Sequence, residues 1–367
     1  MEVCVVGAGI MGAVTAYHLS RRGARVMVIE ATTLEPRGAS AATFGWINAN
    51  SKQPEHYFEL NRAGMEAHGE LRDALGGGSW LRGGGSVEWA DPEGAAALRA
   101  RVDAHAARGY PAELIDAARL RELEPELEPE PSPTEVAFFP SEGSVDTVPL
   151  IGVLLAATQG MGAVIKRGVR VTHLDAGRDG RAIIVLDPSE TIRADVVVNC
   201  AGADAGPLAV QGGLMVDTGG PVGLNAVTVP VSVSLGRVVR APGVHFRPER
   251  GGRIMIASPS ADAALATGTD TSGLAERLVD AAARHLPGLA GAAIEEARVA
   301  RRAIPPDGLP IAGRLADAPW LYHLVTHSGV TLAPLLGRLA AEEILGGAED
   351  ARLAPYRPDR FTTSVSS

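Results

Sequence analysis

The chain has 367 residues and 46% of them are hydrophobic, which is enough for a sizeable core and about two domains. The formal net charge of −9 argues against a nucleic-acid-binding protein, which needs a basic face. The two cysteines lie in separate apolar runs, so they predict buried thiols rather than a disulfide framework. The histidines show no ligand spacing with cysteines or paired carboxylates, so no metal is expected.

The sequence also predicts a cytoplasmic location. The longest apolar stretch, residues 149–165, contains glycines and a glutamine and is too short to span a membrane. The first predicted strand lies almost at the start of the sequence, which leaves no space for a signal peptide.

The first predicted element is a nucleotide-binding unit. Residues 3–12 read V-C-V-V-G-A-G-I-M-G, an apolar run that meets the spacing G-x-G-x-x-G, and an amphipathic pattern follows over residues 13–22. Gly7 permits a tight turn, Gly9 lets a pyrophosphate approach the backbone, and Gly12 lets helix and strand pack closely. This order of strand, turn and helix predicts an adenine dinucleotide site.

The next strand strengthens that prediction. It covers residues 24–29 and ends at Glu30, where an acid suits the two hydroxyls of an adenosine ribose. Residues 31–42 then form a turn-rich loop. Its small residues would let the backbone pass close to a ligand, and an ordinary solvated loop is the alternative.

The middle of the chain predicts a different kind of sheet. Residues 80–90 predict a strand pair around three glycines, and residues 114–122 predict a short helix. Residues 194–202 form a continuous apolar strand that ends in small residues, typical of a parallel sheet buried on both faces. Residues 222–239 alternate between apolar and polar side chains and are rich in β-forming residues, as are residues 243–247 and 253–257, which indicates an antiparallel sheet. Nucleotide-type and antiparallel segments therefore alternate, which predicts two interleaved domains.

The C-terminal part contains a second informative constellation. Residues 302–313 read R-A-I-P-P-D-G-L-P-I-A-G, and residues 327–334 read H-S-G-V-T-L-A-P. The second piece is a small-residue loop that leads into a helix predicted over residues 334–345, with Pro334 in its first turn. A helix start aimed at a ring that gains negative charge on reduction would stabilise the reduced state.

On four blocks the chain resembles the flavin-dependent D-amino-acid oxidase superfamily, and especially its glycine-oxidase-like members. The blocks are V-V-G-A-G-I-M-G with Glu30, R-G-A-S-A-A-T-F-G from Arg37, V-V-N-C-A-G ending at Gly202, and the C-terminal pair. The resemblance implies an α/β fold, in which a Rossmann-like FAD-binding domain of the glutathione-reductase type is interleaved with an antiparallel-sheet α+β substrate domain. The resemblance implies an FAD-binding domain made of residues 1–45, 141–215 and 300–367. It implies a substrate domain made of residues 46–140 and 216–299.

The resemblance also implies which residues contact FAD. It implies that FAD is bound without a covalent link. Val171 would pair its backbone with adenine, Asp307 and Gly308 would shape the turn beside the flavin, and His327 would position its loop. The full implied set is Gly7, Gly9, Ile10, Met11, Gly12, Glu30, Ala31, Arg37, Ser40, Thr43, Phe44, Gly45, Val171, Ala201, Gly202, Asp307, Gly308, His327, Gly329, Val330, Thr331 and Leu332.

Three residues are implied on the substrate side. Arg302 matches an arginine that holds the substrate carboxylate, which a planar guanidinium can do with two parallel bonds; a surface or interdomain ion pair is the alternative. His245 matches a position that contacts substrate, and a half-buried strand histidine is the alternative. Lys52 follows the flavin-side loop, where a lysine can assist the reaction with oxygen; a solvated loop lysine is the alternative.

The implied activity is oxidation of a C–N bond in an amino acid or secondary amine. Hydride would pass to flavin N5, the imine would hydrolyse, and O2 would be reduced to H2O2. A dehydrogenase that passes electrons to a quinone or carrier, and a biosynthetic oxidase that acts on a larger amine, are the alternatives. Ala303 stands where many relatives have proline, and the loop at His327 is shorter than in glycine oxidase and lacks its second arginine. The substrate pocket is therefore expected to differ, and the oligomeric state stays open.

Overall fold

The computed structural model describes residues 1–33 and 38–362. Within these residues the strands form two large sheets and two small ones. The six-stranded sheet contains β1 (Glu2–Val6), β2 (Arg25–Glu30), β9 (Val164–Arg167), β13 (Val196–Asn199), β19 (Ile311–Gly313) and β20 (Leu321–Val325). The eight-stranded sheet contains β5 (Ser86–Glu88), β6 (Glu113–Ile115), β7 (Val136–Phe139), β14 (Gly219–Thr228), β15 (Val238–Ala241), β16 (Val244–Glu249), β17 (Arg253–Ala257) and β18 (Ile294–Ala303). The small sheets contain β3 (Trp46–Ile47), β4 (Leu81–Arg82) and β8 (Gly143–Val145), and β10 (Arg170–Ala176), β11 (Ala182–Asp187) and β12 (Glu190–Ala194).

The described α-helices cover these sheets and connect them. They are α1 (Ile10–Arg21), α2 (Ala39–Ala42), α3 (Glu55–Ala74), α4 (Ala95–Ala107), α5 (Ala117–Leu123), α6 (Thr147–Gly160), α7 (Ala205–Gln211), α8 (Pro259–Ala266), α9 (Thr271–Ala283) and α10 (Gly329–Gly346). No helix in residues 1–33 and 38–362 is long and apolar enough to cross a membrane.

The six-stranded sheet is the Rossmann-like layer that the sequence predicts. Its order is β19-β20-β13-β1-β2-β9, and all neighbours are parallel except β19 and β20. Val3 and Val5 of β1 face a core built with α1, α6 and α10, while Cys4 and Val6 face a second core that includes β10–β12. The central strands are apolar on both faces because both faces are covered.

The eight-stranded sheet separates an apolar face from a polar one. Val239 and Phe246 point into a core that includes α9. The residues next to them point to the other face, where register places Glu88 beside Arg240 and Arg240 beside His245. Because side chains alternate along a strand, these polar groups share one surface. The sheet is antiparallel except where β5 meets β15, in agreement with the predicted second domain.

Three local predictions were wrong. The C-terminal helix begins at Gly329 rather than at Pro334, so the proline lies inside it. Residues 80–90 do not form a strand pair, because β4 pairs with β8 and β5 pairs with β7 and β15. Residues 113–115 are a strand, and the short helix starts only at Ala117, after Asp116 caps it by accepting from the Arg119 amide at 2.8 Å. The predicted domain limits stay a prediction; strand β18 runs through the limit at residue 300.

Two glycines of α3 predict opposite effects of the same substitution. A Cβ at Gly64 would lie 2.7 Å from the Thr331 carbonyl oxygen, whereas a Cβ at Gly69 would meet nothing within 4 Å. Gly64→Ala is therefore expected to destabilise the fold by about 1–3 kcal/mol, since backbone must move. Gly69→Ala is expected to stabilise it by about 0.5–1 kcal/mol. Chemical denaturation of both variants measures these changes, and equal effects would contradict the packing of α3 against α10.

Candidate active site

The glycine-rich turn joins β1 to α1 and is too crowded for side chains. A Cβ at Gly7, whose φ is +100°, would lie 2.5 Å from the Cys200 carbonyl oxygen. A Cβ at Gly12 would lie 1.9 Å from the Gly7 carbonyl oxygen. The turn therefore packs directly against the end of β13, which places the predicted FAD residues Ala201 and Gly202 beside it.

Two polar side chains complete this end of the sheet. Glu30 accepts from the Ala8 amide at 2.8 Å and from the Thr32 amide at 2.9 Å, so it ties the ends of β1 and β2 together. Ser40 Oγ accepts from the Ile10 amide at 3.0 Å. Their roles beside the ribose and the pyrophosphate stay predictions. Ala31 follows Glu30 and is exposed, while Arg37 lies outside the described residues.

A second helix begins at the same edge of the sheet. Helix α10 starts at Gly329, immediately after β20, and its first turn contains Val330, Thr331 and Leu332. Neither α1 nor α10 has a side-chain cap or an acidic residue in its first turn. The first amides of a helix have no intrahelical partner and carry partial positive charge. Two such helix starts suit a group with a pyrophosphate and a ring that gains negative charge.

Helix α10 accommodates Pro334 through a contact with α3. Proline has no N–H, so it cannot bond to the carbonyl of Val330 four residues earlier. His68 Nε2 donates to that carbonyl instead, at 2.9 Å. Burial lowers the pKa of His68 to about 4, so the ring is neutral at neutral pH. The start of α10 is also fixed by Tyr57, whose hydroxyl donates to Ser328 Oγ at 2.7 Å.

The segment from Thr43 to Asn50 forms a wall between the two sheets. Thr331 Oγ1 accepts from the Asn48 amide at 3.4 Å, which joins this wall to α10. Gly45 has a φ of +71°, and a Cβ there would lie 2.4 Å from the Val145 carbonyl oxygen. The Thr43 hydroxyl accepts from the Gly45 amide at 3.1 Å. This wall and the first turn of α10 form the surface predicted to contact the flavin.

Arg247, on β16 of the eight-stranded sheet, hydrogen-bonds to the wall formed by residues 43–50. Only 1% of its surface is exposed. The guanidinium donates to the Phe44 carbonyl, and it pairs with Asp146 at 3.3 Å and Glu249 at 2.9 Å. Asp146 also pairs with Arg82 at 3.0 Å. A buried charge is tolerated only when it is paired in this way.

Arg302, one of the three predicted substrate-side residues, forms an ion pair on β18 at the edge of the eight-stranded sheet. Arg302 rests on Gly223, and its Nη2 donates to Asp262 Oδ2 at 2.5 Å, so the predicted ion-pair alternative is present in the structure. Asp262 Oδ1 in turn accepts from the Leu224 amide at 2.8 Å. The Arg302 side chain keeps 37% exposure, so part of the guanidinium stays open to a ligand.

Two imidazoles lie among these charges. Burial, and to a smaller extent the charge of Arg240, lower the pKa of His245 to about 4, while the charge of Asp262 opposes the shift. His327 is exposed, yet desolvation by the surrounding protein, followed by the charges of Lys52 and Arg302, also lowers its pKa to about 4. Both rings are therefore neutral at neutral pH. They can accept a hydrogen bond from an amine without adding charge.

Glu142 is a buried carboxyl that the sequence patterns did not reveal. It is 1% exposed and accepts from Ser86 at 2.6 Å, Tyr110 at 2.7 Å and Trp46 at 2.9 Å. Burial raises its pKa to about 7, against the opposing effect of these hydrogen bonds. Its charge also acts on Lys52, where it opposes the lowering of the pKa by burial. It therefore links the wall to the substrate side.

The raised pKa of Glu142 predicts a pH-dependent stability difference. The protonated carboxyl stabilises the fold relative to the charged one; this contribution is complete below pH 4.5 and is lost as the pH rises through about 7. The free energy of unfolding is about 3 kcal/mol higher when the Glu142 carboxyl is protonated than when it is charged. Glu142→Gln mimics the protonated form, so its melting temperature relative to the natural protein should rise between pH 5 and pH 8. Glu66→Gln, on the exposed face of α3, is the control. A pH-independent difference would contradict the shift.

The remaining predicted residues are placed less directly. Val171 pairs with Leu186, and the register shifts immediately after it, so its backbone lies at an irregular point of β10. Asp307 accepts from the Leu309 amide at 3.0 Å and pairs with Arg360 at 2.8 Å, while Gly308 takes a φ of +75° in the turn. The roles of these residues toward FAD stay predictions. No group of three or more possible metal ligands occurs in residues 1–33 and 38–362.

Comparison with known proteins assigns the chain to a family. The profile of the family described as "DAO: FAD dependent oxidoreductase" matches residues 2–343. Glycine oxidase of Geobacillus kaustophilus is 28% identical over 99% of this chain and 98% of its own. Glycine oxidase of Bacillus licheniformis is 25% identical over 94% of this chain and 93% of its own.

Solved structures agree with this assignment. The crystal structure of glycine oxidase from Geobacillus kaustophilus superposes with a TM-score of 0.86 at 24% identity, over 98% of both chains. L-proline dehydrogenase from P. horikoshii superposes with a TM-score of 0.83 at 19% identity, over 98% of this chain and 97% of its own. The predicted fold and superfamily are confirmed: the chain belongs to the DAO family of FAD-dependent oxidoreductases.

Proposed function

We propose that the protein oxidises a C–N bond in an amino acid or secondary amine that carries a carboxylate. The observation that carries the proposal is the position of Arg302, which rests on Gly223, is held by Asp262 at 2.5 Å and keeps 37% of its side chain exposed. A guanidinium binds a carboxylate strongly and would fix the carbon next to it in one orientation. Glycine oxidase, a relative of this chain, acts in the same broad class.

One group of residues in the site is proposed to bind the cofactor and another group to bind the substrate. FAD is the cofactor of the family, and it supplies a hydride acceptor when bound. The glycine-rich turn and Glu30 would hold its nucleotide part, and the first turn of α10 would face its ring, without a covalent link. Arg302 would bind the substrate carboxylate, while the neutral rings of His245 and His327 would accept a hydrogen bond from the amine. Hydrolysis of the released imine completes the reaction.

The electron acceptor is proposed to be O2, with H2O2 as product. A dehydrogenase that uses a quinone or carrier is the second candidate, because a protein named L-proline dehydrogenase shares the fold. An anaerobic panel of D-amino acids, glycine, sarcosine and cyclic imino acids, followed by flavin absorbance, tests the reaction. Bleaching by at least one amine is expected, and none would overturn the proposal. Admission of air to the bleached protein should then release H2O2, whereas recovery only with a quinone would favour the dehydrogenase.

A further inference from the structure

Lys52 forms no ion pair within the described part of the chain. It follows the wall, and its side chain is half-buried. The other lysine, Lys166, pairs with Glu190 on the protein surface. No ion pair or side-chain hydrogen bond of Lys52 occurs in residues 1–33 and 38–362. An ammonium group is strongly hydrated, so partial burial without an anion costs free energy unless a ligand supplies the anion.

The nearby acids are already engaged. Both oxygens of Glu142 accept from neutral donors, Oε1 from Tyr110 and Oε2 from Ser86 and Trp46. Glu88 pairs with Arg101 at 2.5 Å and with Arg240 at 3.3 Å. These carboxylates therefore leave Lys52 free for another anion.

Lys52 and Arg302 reach the polar face of the eight-stranded sheet from separate segments. Ser51, next to Lys52, accepts at 2.8 Å from Arg101, which pairs with Glu88 on that face. Strand register places Arg302, which rests on Gly223, on the same face. Asn48 and Tyr57, which bracket Lys52 in sequence, contact Thr331 and Ser328 at the start of α10. Arg302 comes instead from the end of β18 in the eight-stranded sheet. The charges of both side chains act on the His327 ring between these segments. The site thus contains two cations carried by separate elements.

The two cations differ in what they already bind. Arg302 is partly neutralised by Asp262 and keeps donors for one carboxylate. A substrate with a single carboxylate on Arg302 would leave Lys52 without a partner. We propose that the substrate carries two carboxylates, one bound by Arg302 and the other by Lys52. This inference rests on the proposed function for the role of Arg302, and it gives Lys52 a role in substrate selection rather than in the reaction with oxygen.

Binding of acids that cannot be oxidised tests the inference independently of turnover. Thiodiacetate and (methylthio)acetate differ only in one carboxylate, and thioether diacids with one to three methylenes in the second arm, each with a methyl-terminated partner, extend the series. Dissociation constants are measured from the change in flavin absorbance of the holoenzyme. At least one diacid is expected to bind tenfold or more tightly than its partner. Lys52→Met should reduce the ratio of the two dissociation constants to near one, whereas Lys166→Met, the surface control, should leave this ratio unchanged.

Two binding results would overturn the inference. If the natural protein binds no diacid of the series more tightly than its methyl-terminated partner, it has no second anion site. If Lys52→Met still binds the diacid more tightly, the second anion site lies elsewhere. A variant that keeps the ratio but reacts more slowly with O2 would assign Lys52 to oxygen. FAD content and circular dichroism of Lys52→Met exclude misfolding. If no amine bleaches the flavin while the ratio depends on Lys52, the proposed function fails and the second anion site stands.

Discussion

Replacing Arg302 by methionine is expected to lower kcat/KM for a carboxylate substrate by about 10²–10³-fold. Loss of one partner from a charged, hydrogen-bonded pair costs about 2–5 kcal/mol, and each 1.4 kcal/mol corresponds to a factor of ten. A neutral amine of similar size does not use the guanidinium, so its kcat/KM should change far less. Steady-state kinetics with a matched acid and amide measures the two effects.

Arg301 provides the control for this substitution. It is the preceding residue of β18, its side chain is 50% exposed, and it lies 3.6 Å from an exposed Asp217. Arg301→Met should therefore leave both substrates nearly unchanged. Because Arg302→Met removes the partner of Asp262, the double variant with Asp262→Asn should be measured as well. Equal losses for the acid and the amide in both Arg302 variants would place Arg302 outside the carboxylate site.

Replacing Gly12 by alanine is expected to give a protein without FAD. The new Cβ would lie 1.9 Å from the Gly7 carbonyl oxygen, so strand and helix must separate. We expect a stability loss of at least about 3 kcal/mol, at the upper end of overpacking effects. The same movement would displace the first-turn amides of α1 from the predicted pyrophosphate. The ratio of flavin absorbance to protein absorbance and the melting temperature measure both effects.

Gly152 of α6 is the matched control for Gly12. A Cβ at this position would meet nothing within 4 Å, and the residue is exposed in the helix. Gly152→Ala should keep the full FAD content and melt at the same or a slightly higher temperature. Retention of FAD by Gly12→Ala would show that the turn between β1 and α1 tolerates a side chain, and would remove it from the cofactor site.

The nucleotide-binding unit could be predicted because its determinants are local. The strand, three glycines, the helix and Glu30 all lie within 30 residues, and the structure places them as expected. The buried strand β13 was equally clear, since it is apolar on both faces. The start of α10 was not, because Pro334 is typical of a first turn. Its place inside the helix depends on His68, which lies 262 residues from Val330 in the sequence.

The substrate side could be predicted only through the resemblance to relatives. Asp262 contacts Arg302 across 40 positions, and Glu142 collects donors from three separate segments. Neither acid lies in a pattern that distinguishes it from a surface residue. Such contacts are set by the packing of the two sheets, which no local spacing encodes.

The pairing of Arg247 limits how this enzyme can be redesigned. Its guanidinium reaches from the eight-stranded sheet to the Phe44 carbonyl and to Asp146, the residue that precedes α6. A designer who exchanges the eight-stranded sheet for that of a relative must therefore bring a compatible acid and wall with it. If only one side of this junction were exchanged, the chimera would contain a charge with no counterpart, and its yield would suffer before its selectivity could be tested.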